Sequence, residues 1–95
     1  MLIRWTPAAF NDLKIISGYI ERQRNLATAN RVCRIIYDSI QTLRRFPESG
    51  KIGMEEGTRE LVVSALPTYI VTYRVIHSEA VQIVRIWHGA QERRE

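Results

Sequence analysis

The sequence predicts an α+β fold in the order β-α-α-β-β-β, a helical hairpin packed on a small, mainly antiparallel sheet. Three observations carry this. Apolar residues recur at helical spacing from residue 7 to 46, and short blocks rich in β-branched and aromatic residues alternate from 58 to 88. Between them, residues 47–57 hold Pro47, Gly50, Gly53 and Gly57. At 95 residues the chain fits a single domain, 1–95.

Leu2-Ile3-Arg4-Trp5 reads as a short strand, and Thr6-Pro7 supplies a capping hydroxyl followed by proline at the first helical position. In the first helix, which runs to about Gln23, Phe10, Leu13, Ile16 or Ile15, and Ile20 are expected inward, with Asn11, Asp12 and Glu21 outward. Asn25 caps a second helix whose buried stripe is expected to be Val32, Ile35, Ile36, Ile40, Leu43 and Phe46, and Pro47 stops it. The glycine-bearing segment that follows reads as a loop and as the segment expected to be most mobile. Strands are expected over 58–64, 69–76 and 81–88, separated by Leu66-Pro67-Thr68 and by the polar turn His77-Ser78-Glu79-Ala80.

Alternation places Tyr69, Val71, Tyr73 and Val75 on one sheet face and Ile70, Thr72, Arg74 and Ile76 on the other. In the last strand Ile83, Arg85 and Trp87 are expected to share a face opposite Val84, Ile86 and His88, so Arg85 and His88 point apart unless a bulge intervenes. One sheet face is expected to meet the helices; the other, where it is not solvated, needs a ligand or partner.

Composition narrows the function classes. A hydrophobic content of 45% and a charged content of 25% describe a folded globular chain. No apolar run reaches the ~18 residues that span a bilayer, and the N-terminus lacks a signal-peptide layout, so no membrane partner and a cytoplasmic location are expected. The single cysteine, Cys33, reads as a small buried hydrophobe, and one Cys with His77 and His88 gives no metal-ligand cluster; neither metal nor cofactor is expected. The net charge is +4, and twelve of the fourteen basic residues are Arg, against only Lys14 and Lys51. Planar, bidentate Arg favours an anionic partner, and nucleic acid and an acidic protein satisfy that equally well.

The candidate site residues lie in the last third. His88 ends a strand just before Gly89, with an unperturbed pKa near ~6.5 that suits acid–base chemistry at neutral pH. Arg59, Arg74 and Arg85 stand among residues that otherwise belong in a core, so each must pair, reach solvent or meet an anion. Arg59 has Glu60 and the pair Glu55-Glu56 nearby, Arg74 is expected to be partly covered and bonded to a carboxylate or carbonyls, and Arg85 is placed to stack on Trp87. Trp87 reads first as core or rim packing, with base stacking as the sharper alternative because it stands beside the end of the last strand. The tail Arg93-Arg94 reads as a solvated end.

Trp5-Thr6-Pro7-Ala8-Ala9 before the first helix, Gly57-Thr58-Arg59-Glu60-Leu61-Val62-Val63, Tyr69-Ile70-Val71-Thr72-Tyr73-Arg74-Val75 and Trp87-His88-Gly89-Ala90-Gln91, in this order, resemble the RelE/ParE superfamily of bacterial toxins. Asp12-Leu13, Tyr19-Ile20 and Pro47 with Gly50 and Gly53 fit the ParE-like pattern as well, and the likeness spans nearly the whole chain. The resemblance implies the toxin of a type II toxin–antitoxin pair, a growth inhibitor of the plasmid-stabilisation kind, silenced by a cognate antitoxin that alone contacts operator DNA.

For the target, the resemblance implies two activities. ParE-like members inhibit DNA gyrase by binding, with Arg59, Arg74, Arg85, Trp87 and His88 as binding residues here; this is the first reading. RelE-like members cleave mRNA on the ribosome, which would make His88 the acid or base, with Arg59, Arg74 and Arg85 on phosphate and Glu48, Glu55 or Glu56 as an alternative base. Cleaving members commonly carry Arg in a strand reading Arg-Leu-Val-Tyr where this chain has Ile70-Val71-Thr72-Tyr73, and Ile70 cannot stabilise a phosphorane. The C-terminal Tyr and lysine-rich helix typical of RelE are also absent. A third reading is a non-toxic partner module in an antitoxin's repressor complex.

Overall fold

Thr6 is the corner on which the architecture turns. Its hydroxyl accepts from the Ala9 N–H at 3.1 Å, capping the first helix, and donates to the carbonyl oxygens of Ile83 at 2.9 Å and Val84 at 3.1 Å. One side chain thus ends a strand, starts a helix and ties both to residues 77 and 78 positions away in sequence. The computed structural model describes residues 1–89: β1 (Leu2–Trp5), α1 (Pro7–Gln23), α2 (Leu26–Gln41), a 3-10 turn (Thr42–Arg44), β2 (Lys51–Ile52), β3 (Arg59–Val62), β4 (Tyr69–Ile76) and β5 (Ala80–His88).

The five strands form one sheet in the order β1-β5-β4-β3-β2. β1 runs parallel to β5, and the other pairs are antiparallel. Asn25 caps α2 by accepting from the Thr28 N–H at 2.8 Å. The β4–β5 hairpin turns at His77 and Ser78, whose φ angles of 51° and 58° give the mirror-image turn that matches strand twist. The core is a single cluster in which Ala9 of α1 and Ile36, Ile40 and Leu43 of the α2 arm meet Val63, Val71, Tyr73, Val81, Ile83 and Ile86 of the sheet. Among the described residues no helix is long and apolar enough to cross a membrane, and no group of three or more His, Cys, Asp and Glu side chains could hold a metal ion.

Several sequence expectations are corrected. Phe10 and Ile15 are exposed at 55% and 60%, while Asp12, expected outward, is buried at 9% because an arginine on β5 pairs with it. Asp12 sits three residues after buried Ala9 and eight before buried Ile20, so the inward stripe of α1 passes through it. Phe46 is also exposed, since the α-helix ends at Gln41 and the 3-10 turn rotates the following residues away from the core. Cys33 is half-buried. The loop expected over 47–57 contains the two-residue edge strand β2, paired through Lys51–Glu60 and Ile52–Arg59.

The register between β4 and β5 steps from Thr72–Arg85 to Tyr73–Ile83, leaving Val84 as an extra residue on β5. This bulge moves Ile83 onto the helix-covered face with Ile86 and His88, away from the Arg85 and Trp87 it was expected to accompany. The bulge precedes Arg85, so Arg85 and His88 still stand on opposite faces, opposite Thr72 and Tyr69 respectively.

Candidate functional site

Because β1 pairs only with Ala80–Ile83, the outer edge of β5 from Val84 onward has no strand beside it among the described residues, and α1 lies against it through Asp12. Asp12 occupies the place of the missing strand. One carboxylate oxygen accepts from the Ile86 backbone N–H at 2.9 Å and from Arg85 Nε at 2.7 Å, and the other accepts from Arg85 Nη2 at 3.0 Å. Arg85 reaches round the sheet edge to make this fork, and the carboxylate holds its guanidinium pKa above the ordinary value. Arg85 Cζ also lies 4.8 Å from the centre of the Trp87 ring, the stack expected from sequence, and Trp87 Nε1 donates to Thr72 Oγ1 at 2.9 Å.

The other face of the same strand end carries an aromatic rim. The His88 imidazole meets Tyr69 edge to face with centroids 5.2 Å apart. Burial raises the Tyr69 phenol pKa, with smaller pushes in the same direction from Cys33 and Tyr19. Along α1 the row Asp12, Ile15, Tyr19 follows the edge of β5, and Ile15 and Tyr19 are exposed at 60% and 57%. These exposed apolar side chains on α1 offer a surface on which a partner segment could bury its own apolar face.

The other two candidate arginines, Arg59 and Arg74, are engaged in the chain itself. Arg59 Nη1 donates to the Gly50 carbonyl at 2.7 Å and to that of Glu48 at 3.3 Å, rather than pairing with Glu60, Glu55 or Glu56. Tyr73 holds the same segment: its hydroxyl donates to the Pro47 carbonyl at 2.7 Å and accepts from the Gly50 N–H at 2.9 Å. A Cβ on Gly50 would stand 2.8 Å from the Tyr73 ring and from the Glu60 carbonyl, so glycine is required for the approach. Arg74, on the open sheet face, lies 3.9 Å from Glu55, and its Nε is buried without a hydrogen-bond partner.

The candidate residues therefore divide. Arg85 and Trp87 are brought together, His88 joins Tyr69 on the opposite face, and Arg59 fastens the segment before β2. Among the described residues, Arg74 and Arg85 leave the sheet on the face opposite His88, while Arg59, opposite Tyr73 in the register, shares the His88 face and is bound to the Gly50 and Glu48 carbonyls. Asp12, Tyr19 and Tyr69 are the participants that sequence reasoning missed as site residues. Asp12 lay within the helical row of buried positions, and that row was the available signal; the Tyr69–His88 contact depends on strand register, which had none. Ala90, Gln91, Arg93 and Arg94 lie outside the described residues.

Comparison with known proteins agrees with this architecture. The family described as the ParE toxin of type II toxin–antitoxin system, parDE, matches residues 3–93. A Sinorhizobium fredii protein named as a candidate toxin, Y4kP, is 39% identical over 90 residues, covering 95% of this chain and 90% of its own length. Among solved structures, the chromosomal ParDE system of P. aeruginosa superposes with a TM-score of 0.84 at 22% identity, over 93% of this chain and 95% of the other. The RelBE2 toxin–antitoxin complex of Mycobacterium tuberculosis superposes with a TM-score of 0.67 at 24% identity, over 92% and 95% of the two chains.

Proposed function

From the premise that this chain belongs to the ParE toxin family of type II toxin–antitoxin systems, we propose that it acts by binding, inhibiting DNA gyrase without breaking a bond itself, and that a cognate antitoxin neutralises it. The observation that favours binding over cleavage is that His88 leaves β5 on the helix-covered face, against Tyr69, whereas Arg74 and Arg85 leave the sheet on the other face and Arg85 is drawn to Asp12 at the strand edge. General acid–base catalysis on a phosphodiester needs the proton-transfer group and the charge-stabilising donors within hydrogen-bond reach of one reacting centre. Here the imidazole is packed against Tyr69, Arg85 is committed to Asp12, and Ile70 stands opposite Trp87 on the open face.

The antitoxin's place in this reading is the exposed surface of α1 beside the C-terminal half of β5. An acidic amphipathic segment would set its apolar side chains on Ile15 and Tyr19 and its carboxylates near Arg22, one helical turn beyond Tyr19. Binding of such a segment adds RT ln(1 + [L]/Kd) to the stability of the toxin, about 4 kcal/mol at a thousandfold excess over Kd. The complex is expected to melt well above the free chain.

Induction of the chain without antitoxin should arrest growth with DNA-damage signalling while bulk translation continues at first, and the purified protein should impair gyrase supercoiling. If gyrase is untouched and mRNA is cut on programmed ribosomes, the binding reading is wrong.

A further inference from the structure

The net charge of this chain is not spread over its surface. Residues 7–45, the helical hairpin and its 3-10 turn, hold seven cations (Lys14, Arg22, Arg24, Arg31, Arg34, Arg44, Arg45) and three acids (Asp12, Glu21, Asp38), one of which, Asp12, is buried against Arg85. The rest of the chain holds seven of each, so the whole +4 resides in the helical layer. The ion pairs among the described residues are Arg74–Glu55 and Arg85–Asp12, and none involves a helical-layer arginine. Arg34 and Asp38 stand one turn apart on α2 and are not joined.

We propose that the outer face of α2 is a surface for the phosphate backbone of duplex DNA, contacted by this chain directly and separately from any operator contact made through the antitoxin. The exposed row Ala27, Asn30, Arg31, Arg34, Asp38 follows helical spacing, with Arg24 at the hairpin turn and Arg44 and Arg45 beyond the other end. The sixteen residues of α2 rise about 24 Å, and with these flanking arginines the basic row approaches the ~34 Å of one duplex turn. An acidic protein segment fits this face poorly. It would need an apolar anchor to bury, and the row offers charge, amide and, at its flank, the hydroxyl of Tyr37. Phosphodiester contacts need only such donors. The large exposed apolar side chains of the hairpin are Phe10, Ile15 and Tyr19 on α1 and Leu26 and Tyr37 on α2, of which Leu26 opens the helix and Tyr37 stands at the flank of the row rather than in it.

The test is fluorescence anisotropy of the full chain on a labelled duplex of random sequence across a salt series. With about four phosphates engaged, log Kd should vary with log salt at a slope near 3.6, a loss of about 150-fold in affinity from 50 to 200 mM salt. Arg31→Ala/Arg34→Ala should halve that slope, leaving a loss of about 12-fold over the same range. Arg4→Ala/Lys51→Ala removes the same charge from the two edge strands of the sheet and should leave the slope unchanged. Unchanged melting curves certify that each variant is folded. Equal effects of the two double variants, or no binding at 50 mM salt, would overturn the proposal. So would loss of antitoxin affinity in Arg31→Ala/Arg34→Ala with DNA binding intact, which would assign the face to an acidic protein. None of these outcomes depends on whether gyrase is the target.

Discussion

Removing the Asp12 carboxylate is the most informative perturbation of this fold. Asp12→Ala leaves the buried Ile86 N–H without an acceptor, a cost of about 1–3 kcal/mol, and frees Arg85 from a two-point charged contact. The second loss must be discounted, because the Arg85 side chain is 42% exposed and water takes over its donors, leaving about 1 kcal/mol. The total is about 2–4 kcal/mol against a native stability of roughly 5–14 kcal/mol for a chain of this length, and the melting temperature should fall by about 10–25 °C. Asp12→Asn keeps one carbonyl oxygen for Ile86 and should cost about half as much. Urea denaturation followed by circular dichroism measures both, and a cycle with Arg85→Ala isolates the pair, whose coupling should reach about 1 kcal/mol. An Asp12→Ala variant within about 0.5 kcal/mol of wild type, or a coupling of zero, would refute the view that this carboxylate replaces a strand at the edge of β5.

If the chain acts by binding as proposed, His88→Ala should leave growth inhibition in cells largely intact; a folded, antitoxin-competent variant without toxicity would restore the nuclease reading. Tyr73→Phe loses the hydrogen bonds to Pro47 and Gly50 and should destabilise by about 1–3 kcal/mol in denaturant titration. Gly50→Ala should destabilise further, since its methyl meets the Tyr73 ring and the Glu60 carbonyl; an unchanged denaturation midpoint would show that the segment has room to move. Burial raises the pKa of both Tyr69 and Tyr73, so each holds its proton more tightly folded than unfolded; stability should be intact below about pH 10 and fall as pH rises beyond it, less steeply in Tyr73→Phe.

The elements that could be read from sequence are those whose ends carry local chemistry. Thr6-Pro7 and Asn25 cap helices where their short-range hydrogen bonds demand it, and the polar turn after Ile76 closes with two left-handed residues. What could not be read depends on distant partners. Asp12 looks like a solvent-facing acid until Arg85, 73 residues later, is placed against it. Phe46 completes a helical stripe only if the α-helix continues, and the change to a 3-10 turn at Thr42 depends on packing. β2 has two residues and no alternation to detect, and the extra residue Val84 changes which face Ile83 occupies without leaving a composition signal. The same limit divides the candidate site. The Arg85–Trp87 stack is two residues apart and was legible; the Tyr69–His88 contact joins two strands through their register and was not.

The parallel pairing of β1 with β5 also sets a clock on synthesis. The first strand and the helix start it feeds are complete only when Ala80–Ile86 arrive, because Thr6 and Asp12 bond to residues 83–86. Contacts of such sequence separation form late and slowly, since most of the chain must be confined before they are made. A growing polypeptide whose last residues are still inside the ribosomal exit tunnel therefore lacks the strand that seats both β1 and α1. Nascent chains stalled before Ala80 clears the tunnel should be degraded readily by protease, and released chains should resist it. Until then Asp12 has neither the Ile86 N–H nor the Arg85 guanidinium to hold it, and α1 has no strand to lie against.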